Sequence, residues 1–425
     1  MRVIVIGGGA IGLCVAEALS ARDCEVTVLE RDRCGAGASA GNAGWITPSL
    51  AEPVPGPGVI ATSLRWLMNP SGPLWIRPTL SPALLEWIAR FTVNCRRSTY
   101  ERGLVALRRV TELASPAFDE LAAREVEFEQ HEDPLVFPCF QPAELEHVWR
   151  MVQGLRAAGS RQRFDRIPAG EVRALEPALA GDVVGAVVAN GERRVRPERL
   201  TGGVHRALVT RGVDVRERAP VARLAREGGR WRVEVAGGAG VLGDVVVLAS
   251  GTACAELLAP HGVRLPIAAA KGYSRTYALD PTGPRRPLYL ENPKVAISVY
   301  DEGVRISGTL ELGAVDLSLS ERRLAAIAAA AQRALPGWRM PAQPRDWAGM
   351  RSLSPDGLPY IGPAPGLEGV HLATAHATLG ITLAPVTGQL IAGLLLDGAQ
   401  SELTRAFDPA RVAVRRHKAN TGGVR

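Results

Sequence analysis

The sequence predicts an α/β protein in which a parallel-sheet nucleotide-binding unit is interleaved with an α+β unit built on a mixed sheet. Three observations carry that prediction. The chain opens RVIVIGGGAIG, a continuous apolar, β-branched run broken by glycines. A second run of the same kind, DVVVLASG, returns at residues 244–251. Residues 288–312, LYLENPKVAISVYDEGVRISGTLEL, alternate in the manner of half-buried strands. At 425 residues the chain exceeds what one simple core holds, which suggests two units.

RVIVI has the pattern of a strand buried on both faces of a parallel sheet. GGGAIG closes it, LCVAEALSARD continues at helical spacing, and EVTVLER makes the next strand, ending at Glu30. Gly7, Gly9 and Gly12 occupy the positions of a GxGxxG loop. The first allows a tight turn, the second lets backbone approach a pyrophosphate, and the third lets the helix close on the strand. The helix N-terminus attracts the phosphates. Glu30 is placed to accept from ribose hydroxyls and would repel a 2′-phosphate, which disfavours NADP. NAD and FAD both remain compatible with this loop.

The small-residue run RCGAGASAGNAGW follows. It reads either as a flexible surface loop or as backbone wrapping an extended ligand beyond the pyrophosphate. No third Rossmann strand comes next. Instead there is a Pro- and Trp-rich stretch containing Trp66, Trp75 and Trp87, then helical patterns to about residue 125, so the nucleotide unit is interrupted. It resumes near 190. VRPERLTGGVHRALVTRG reads as a helix with Pro197 in its first turn, DVRER as a strand, and PVARLAREGGRWRVEVAGG as a small antiparallel meander. SLSERRLAAIAAAAQRAL reads as an amphipathic helix capped by Ser318 or Ser320.

Near the C-terminus, GMRSLSPDGLPYIGPAP surrounds one arginine, Arg351, with proline and glycine. Rigid backbone holding a lone guanidinium suits a small anion; a solvated loop arginine is the plainer reading. Leu379 to Leu396 is eighteen residues without a charge, the length at which a membrane span is considered. Pro385, Gln389, Gly388 and Gly393 interrupt it, while Leu383, Val386, Leu390 and Leu394 recur at helical spacing. The expectation is a helix buried against the sheet.

Composition bounds the function. The chain is 46% hydrophobic and 22% charged, with a mean hydropathy of +0.04, as in globular proteins. Its net charge of +7 comes largely from dispersed arginines such as Arg193, Arg194, Arg196 and Arg199, which argues against nucleic-acid binding. Cys14, Cys24, Cys34, Cys95, Cys139 and Cys254 form no CxxC and show no His/Cys ligand spacing, so no metal and no redox dithiol are expected. The absence of a signal-peptide pattern at Met1 leads to the expectation of a reducing, cytoplasmic setting.

The GxGxxG start, GASAGNAG, the LASG strand end, GMRSLSPDGLPYIG and HATLG together resemble the D-amino-acid oxidase superfamily. SAGNAGWITPSLAEPVPGPGV, SLRWLMNPSGPLWIRP and AAAKGYS narrow the resemblance to its bacterial D-amino-acid dehydrogenase small subunits. The resemblance covers nearly the whole chain and resolves the nucleotide question toward FAD. It implies an FAD-binding domain at 1–48, 190–262 and 345–425 and a substrate domain at 49–189 and 263–344. It assigns Gly7, Gly9, Ala10, Ile11, Gly12, Glu30 and Arg31 to the ADP half of FAD. Ala38, Ser39, Asn42, Ala43 and Gly44 fall on the flavin side, with Gly251 and Gly349 nearby. Val221 would meet the adenine region through its backbone. Gly380, Ile381 and Thr382 would bring the last helix's N-terminus to the flavin pyrimidine, where a positive helix end stabilises an anionic reduced flavin. No cysteine follows Cys254, so covalent attachment in the C-terminal region is excluded.

The reaction implied is oxidative deamination of a D-amino acid to a 2-oxo acid and ammonia, by hydride transfer to flavin N5. Arg351 would hold the carboxylate. Tyr273, in KGYS, is the expected second contact, and His376 the third catalytic candidate or an organiser of the turn. Tyr289 and Tyr300 are secondary candidates, read as strand aromatics. The expected electron acceptor is a quinone, reached through a peripheral membrane contact near Trp66, Trp75, Trp87, Arg65 and Arg77. A glycine- or sarcosine-type oxidase using O₂, a hydroxyproline-type dehydrogenase and a non-enzymatic flavin scaffold share most of these motifs.

Overall fold

A computed structural model describes residues 1–69, 72–78, 81–313, 316–398, 401–412 and 414–415. The last ten residues of the expected FAD-binding domain, 416–425, lie outside them.

The first apolar run forms the strand Arg2–Ile6, and its neighbours follow from sequence order and packing. The six-stranded sheet runs Asp214–Arg216, Glu25–Leu29, Arg2–Ile6, Val245–Leu248, Val370–Thr374, Tyr360–Pro363. The first five strands are parallel, and Tyr360–Pro363 closes the edge antiparallel to Val370–Thr374. Chain order reverses between Arg2–Ile6 and Val245–Leu248. A crevice opens at the carboxyl ends of strands at such a switch point, which is where ligands bind in open α/β sheets.

Both faces of this sheet are covered, as the uninterrupted apolar strands require. On one face lie the helices Ala10–Ser20, Pro197–Thr210 and Ala384–Leu396, whose apolar residues join Val3, Val5, Val26 and Val28 in one core. The first and last of these cross closely: a Cβ on Gly388 would fall 2.3 Å from the Cys14 carbonyl oxygen. On the other face sits the expected meander, Val221–Glu227, Arg230–Val235 and Val241–Gly243, with Trp231 buried against Ile4, Val246 and Leu248. Among the described residues no helix is long and apolar enough to cross a membrane. The uncharged run at 379–396 is shorter as a helix than as a sequence, because turns occupy the chain before Ala384.

The mixed sheet follows the order Arg345–Leu353, Ala268–Tyr277, Gly303–Leu312, Val295–Tyr300, Leu288–Leu290, Leu135–Cys139, Gly185–Ala189, Phe164–Pro168, and Leu74–Ile76 lies parallel beside Gly303–Leu312. Side chains alternate between its two faces. Tyr273, Tyr277, Val304, Ile306, Ile297 and Ala348 point to one face, where the helix Glu321–Ala334 buries them. The opposite face looks toward the crevice. Sheet membership runs past position 345: Arg345–Leu353 pairs along its length with Ala268–Tyr277. Ser320 sits at the N-cap of Glu321–Ala334 with no capping hydrogen bond from its side chain, and the Ser318 hydroxyl turns instead to Asp316.

Candidate active site

The glycine loop is built by contact distances. Gly7 has φ +113, and a Cβ there would lie 2.7 Å from the Ala249 carbonyl oxygen; a Cβ on Gly12 would lie 1.8 Å from the Gly7 oxygen. Neither position admits a side chain, so helix Ala10–Ser20 is pressed onto the strand end. Gly9 is its N-cap without a side-chain cap, and no acidic residue lies in its first turn. Ser39 Oγ accepts from the Ala10 N–H at 3.0 Å. Glu30 follows the last strand residue, Leu29, and its carboxylate accepts from the N–H groups of Gly8 (2.7 Å) and Asp32 (2.9 Å). The acid therefore braces the loop as well as offering lone pairs to a ribose. Gly251 (φ +63) lies after the Val245–Leu248 strand, its carbonyl accepting from Thr374 Oγ1 at 3.0 Å. Val221 begins the meander opposite Val235, and Arg31 and Ala38 are exposed.

The loop after Ala38 is held from the mixed sheet. Ser298 Oγ and the Tyr300 hydroxyl both donate to the Ala43 carbonyl, at 2.8 and 2.6 Å. Arg305, 2% exposed, donates to the carbonyls of Ala40 (3.1 Å) and Asn42 (2.7 Å) and pairs with Glu198. Asn42 Oδ1 accepts from the Gly44 N–H at 2.8 Å. Sequence reading missed this clamp; the available signal was an arginine between Val304 and Ile306 in an alternating strand. Tyr300 is thus more than a strand aromatic, and Arg305 is committed to backbone rather than open to a substrate anion.

Arg351 lies on the crevice face of Arg345–Leu353, opposite Ala270. Its guanidinium has no hydrogen bond or ion pair among the described residues. Burial pulls its guanidinium below the usual arginine range, with nearby Tyr289 acting against that. Tyr289 packs edge-on against Trp45 and Phe137, at centroid distances of 5.8 and 5.7 Å. Burial pushes its phenol well above the ordinary value, Glu291 adds to the rise, and Arg351 opposes it. Its hydroxyl also makes no hydrogen bond among the described residues.

Tyr273 is not brought to Arg351. It points to the helix-covered face, and its hydroxyl donates to Glu311 Oε2 at 2.7 Å. Strand alternation is the cause: paired positions share a face, and Tyr273 pairs with Ala348 whereas Arg351 pairs with Ala270. Arg275 lies on that same far face, bound to Asp346 and Glu321. Gly349 sits beside Arg351's strand neighbours, overlaid by the Trp347 indole.

His376 is 6% exposed, and its Nε2 lies 3.0 Å from Thr387 Oγ1 on the helix Ala384–Leu396. Burial lowers it to about 3, so it stays neutral and ties the turn to that helix. Ala375 and Ala377 flank it at φ 61 and 51, strain that clusters where a turn must be held in one shape. The helix Ala384–Leu396 has Leu383 as its N-cap, so Gly380, Ile381 and Thr382 form the preceding turn rather than its first residues. Thr382 Oγ1 donates to the Trp45 carbonyl at 2.8 Å.

A family model described as FAD dependent oxidoreductase matches residues 2–394. The chain belongs to that family. This FAD-dependent oxidoreductase is 33% identical over 421 residues to a D-amino acid dehydrogenase of Xanthobacter autotrophicus, covering 97% of this chain and 99% of that one. It is likewise 33% identical to a D-amino acid dehydrogenase of Methylobacterium nodulans, covering 93% and 95%. Among solved structures it is similar to glycine oxidase from Geobacillus kaustophilus, with a TM-score of 0.75, 22% identity, and 97% and 99% of the two chains covered. L-proline dehydrogenase from P. horikoshii has a TM-score of 0.73 at 18% identity, with 96% and 97% covered. These two likenesses establish the oxidoreductase's fold. The cradle that Gly7 and Gly12 leave free of side chains, beside a helix end with no acidic residue in its first turn, fits the pyrophosphate of FAD.

Proposed function

We propose that this enzyme oxidises a D-amino acid to the 2-oxo acid and ammonia and delivers the electrons to a quinone. One observation carries the reading: Arg351, in the crevice, has no acid partner among the described residues, and an anion from outside would complete it. The D-amino acid dehydrogenase relatives support an amino acid of that configuration.

Gly7, Gly9, Ala10, Ile11, Gly12 and Glu30 would hold the ADP half of FAD, and Ser39, Asn42, Ala43 and Gly44 the flavin side. FAD, when bound, supplies the two-electron acceptor. The chain's own residues do the rest. Arg351 takes the substrate carboxylate as a fork and fixes its orientation. The Tyr289 hydroxyl, on the strand Leu288–Leu290 further along the same sheet, would donate to the same carboxylate. Trp45 and Phe137 close the apolar wall and exclude water. Ser298, Tyr300 and Arg305 keep the Ala40–Ala43 backbone in place, and His376 holds the turn at 375–383. The FAD-binding domain is then 1–48, 190–262 and the part of 345–425 beyond the edge strand Arg345–Leu353.

A membrane-borne acceptor fits the surface around the early helices. Leu64, Met68, Leu85 and Val93 are 60, 83, 54 and 55% exposed there, with Arg65 and Arg77 close in sequence. Apolar side chains beside arginines suit an anionic membrane surface. Mixing the protein anaerobically with a panel of D- and L-amino acids tests the proposal. Bleaching of bound flavin by D-amino acids is expected; reduction by none of them, or by L-amino acids alone, defeats it.

A further inference from the structure

Cys34, His205 and Glu217 meet at one point from three separate elements: the loop after Glu25–Leu29, the helix Pro197–Thr210, and the chain just past Asp214–Arg216. Their ligand atoms all lie within 4.8 Å of one another. Cys34 and His205 are partly buried and Glu217 is exposed, so the point is open to solvent. The Cys34 N–H donates to Glu217 Oε1 at 2.7 Å, which fixes the carboxylate beside the thiol. Among the described residues no lysine or arginine forms an ion pair with Glu217. Thiolate, imidazole and carboxylate are the donor set of tetrahedral zinc.

We propose that Cys34, His205 and Glu217 form a three-ligand site for a divalent metal of zinc type, with water in the fourth position. Zinc bonds of about 2.0–2.3 Å place ligand atoms roughly 3.3–3.8 Å apart, so atoms that all lie within 4.8 Å of one another need to close by no more than about 1.5 Å. The exposed Glu217 side chain and rotation of His205 supply that contraction. Binding forms the metal–sulfur bond and releases the thiol proton to solvent.

The site stands behind the nucleotide cradle. A Cβ on Gly8 would fall 2.7 Å from Cys34 Sγ and 2.9 Å from Glu30 Cβ, so the sulfur is the back wall of the loop that Glu30 braces. Drawing the sulfur toward a metal moves that wall, and metal and FAD binding are therefore linked.

The test uses the FAD-loaded full chain and cobalt(II) as a spectroscopic stand-in for zinc. One equivalent is expected to give ligand-field bands to the red of the flavin absorption and a thiolate-to-cobalt band, both removed by zinc. Cys34→Ala and His205→Ala are expected to abolish the thiolate band or the tetrahedral intensity, and Glu217→Gln to weaken binding. Cys95→Ala, a control at another partly buried thiol, should change nothing. Absence of bands, or bands unchanged in Cys34→Ala or His205→Ala, overturns the site. FAD titrations of the apoprotein with and without zinc should differ in Kd by about fivefold or more; equal values overturn the linkage.

Discussion

Arg351 lies over Gly272 on the adjacent strand, its guanidinium atoms 2.9 to 3.1 Å from where a Gly272 side chain would begin. The glycine is the floor on which the guanidinium rests. Gly272→Ala should therefore tilt Arg351 away from the carboxylate it is proposed to hold. Expected is a raised KM for amino acids with FAD content unchanged, measured by steady-state kinetics and flavin absorbance. A KM equal to that of the unmodified enzyme would remove Arg351 from the binding site.

Arg351→Ala tests the anchor itself. Losing a buried charge-assisted pair costs roughly 3–5 kcal/mol, on the order of 10²–10⁴ in kcat/KM. Arg351→Lys should recover little, because an ammonium does not reproduce a bidentate fork. FAD content should hold in both, since the cofactor cradle lies elsewhere.

The two tyrosines part company. Tyr289→Phe removes the hydroxyl proposed to meet the substrate carboxylate and should cost about tenfold in kcat/KM, near 1.4 kcal/mol. Tyr273→Phe removes only the bond to Glu311 on the far face, so kinetics should stay near normal while thermal stability falls. The opposite pattern would restore Tyr273 as the substrate contact.

Arg305→Ala should weaken FAD binding without touching Arg351. The carbonyls of Ala40 and Asn42 and the carboxylate of Glu198 lose their donor, and Glu198 is left without its cation. Fluorescence titration of apoprotein should show a higher Kd for FAD than in Tyr300→Phe, which loses a single donor to Ala43.

Acid should destabilise the protein through two histidines. Burial lowers His376 to about 3 and His371 to about 4, both from 6.5, so the unfolded chain binds more protons between those values. Their contribution to stability is complete above about pH 6.5 and is lost as pH falls through that window, at about 1.4 kcal/mol per unit per histidine. Urea melts at pH 7 and pH 5 check this, and His376→Gln should flatten the dependence. Identical slopes would show that His376 is not held neutral.

The nucleotide half was legible because its chemistry is local. Strand, glycine loop, helix and Glu30 follow one another, and each has a sequence signature. Arg351, the proposed anchor, stands out in the sequence for a similar reason, alone amid proline and glycine. The face that Tyr273 takes was not legible, because a strand shows its two faces in sequence without saying which one a helix will cover; the helix Glu321–Ala334 made that choice. The clamp of Ser298, Tyr300 and Arg305 was illegible because its targets are backbone carbonyls some 255 to 265 positions away. Cys34, His205 and Glu217 lack motif spacing for the same reason: three turns of the fold bring them together.

That clamp also bears on how this enzyme can be taken apart. The segment closest to the proposed flavin site takes its shape from strands of the other sheet, so neither half is a finished module. Chimeras that graft a foreign substrate half onto residues 1–48 would inherit the glycine loop but lose the grip on Ala40, Asn42 and Ala43. A new specificity imported in this way would arrive with a loosened cofactor unless the three donors travelled with it.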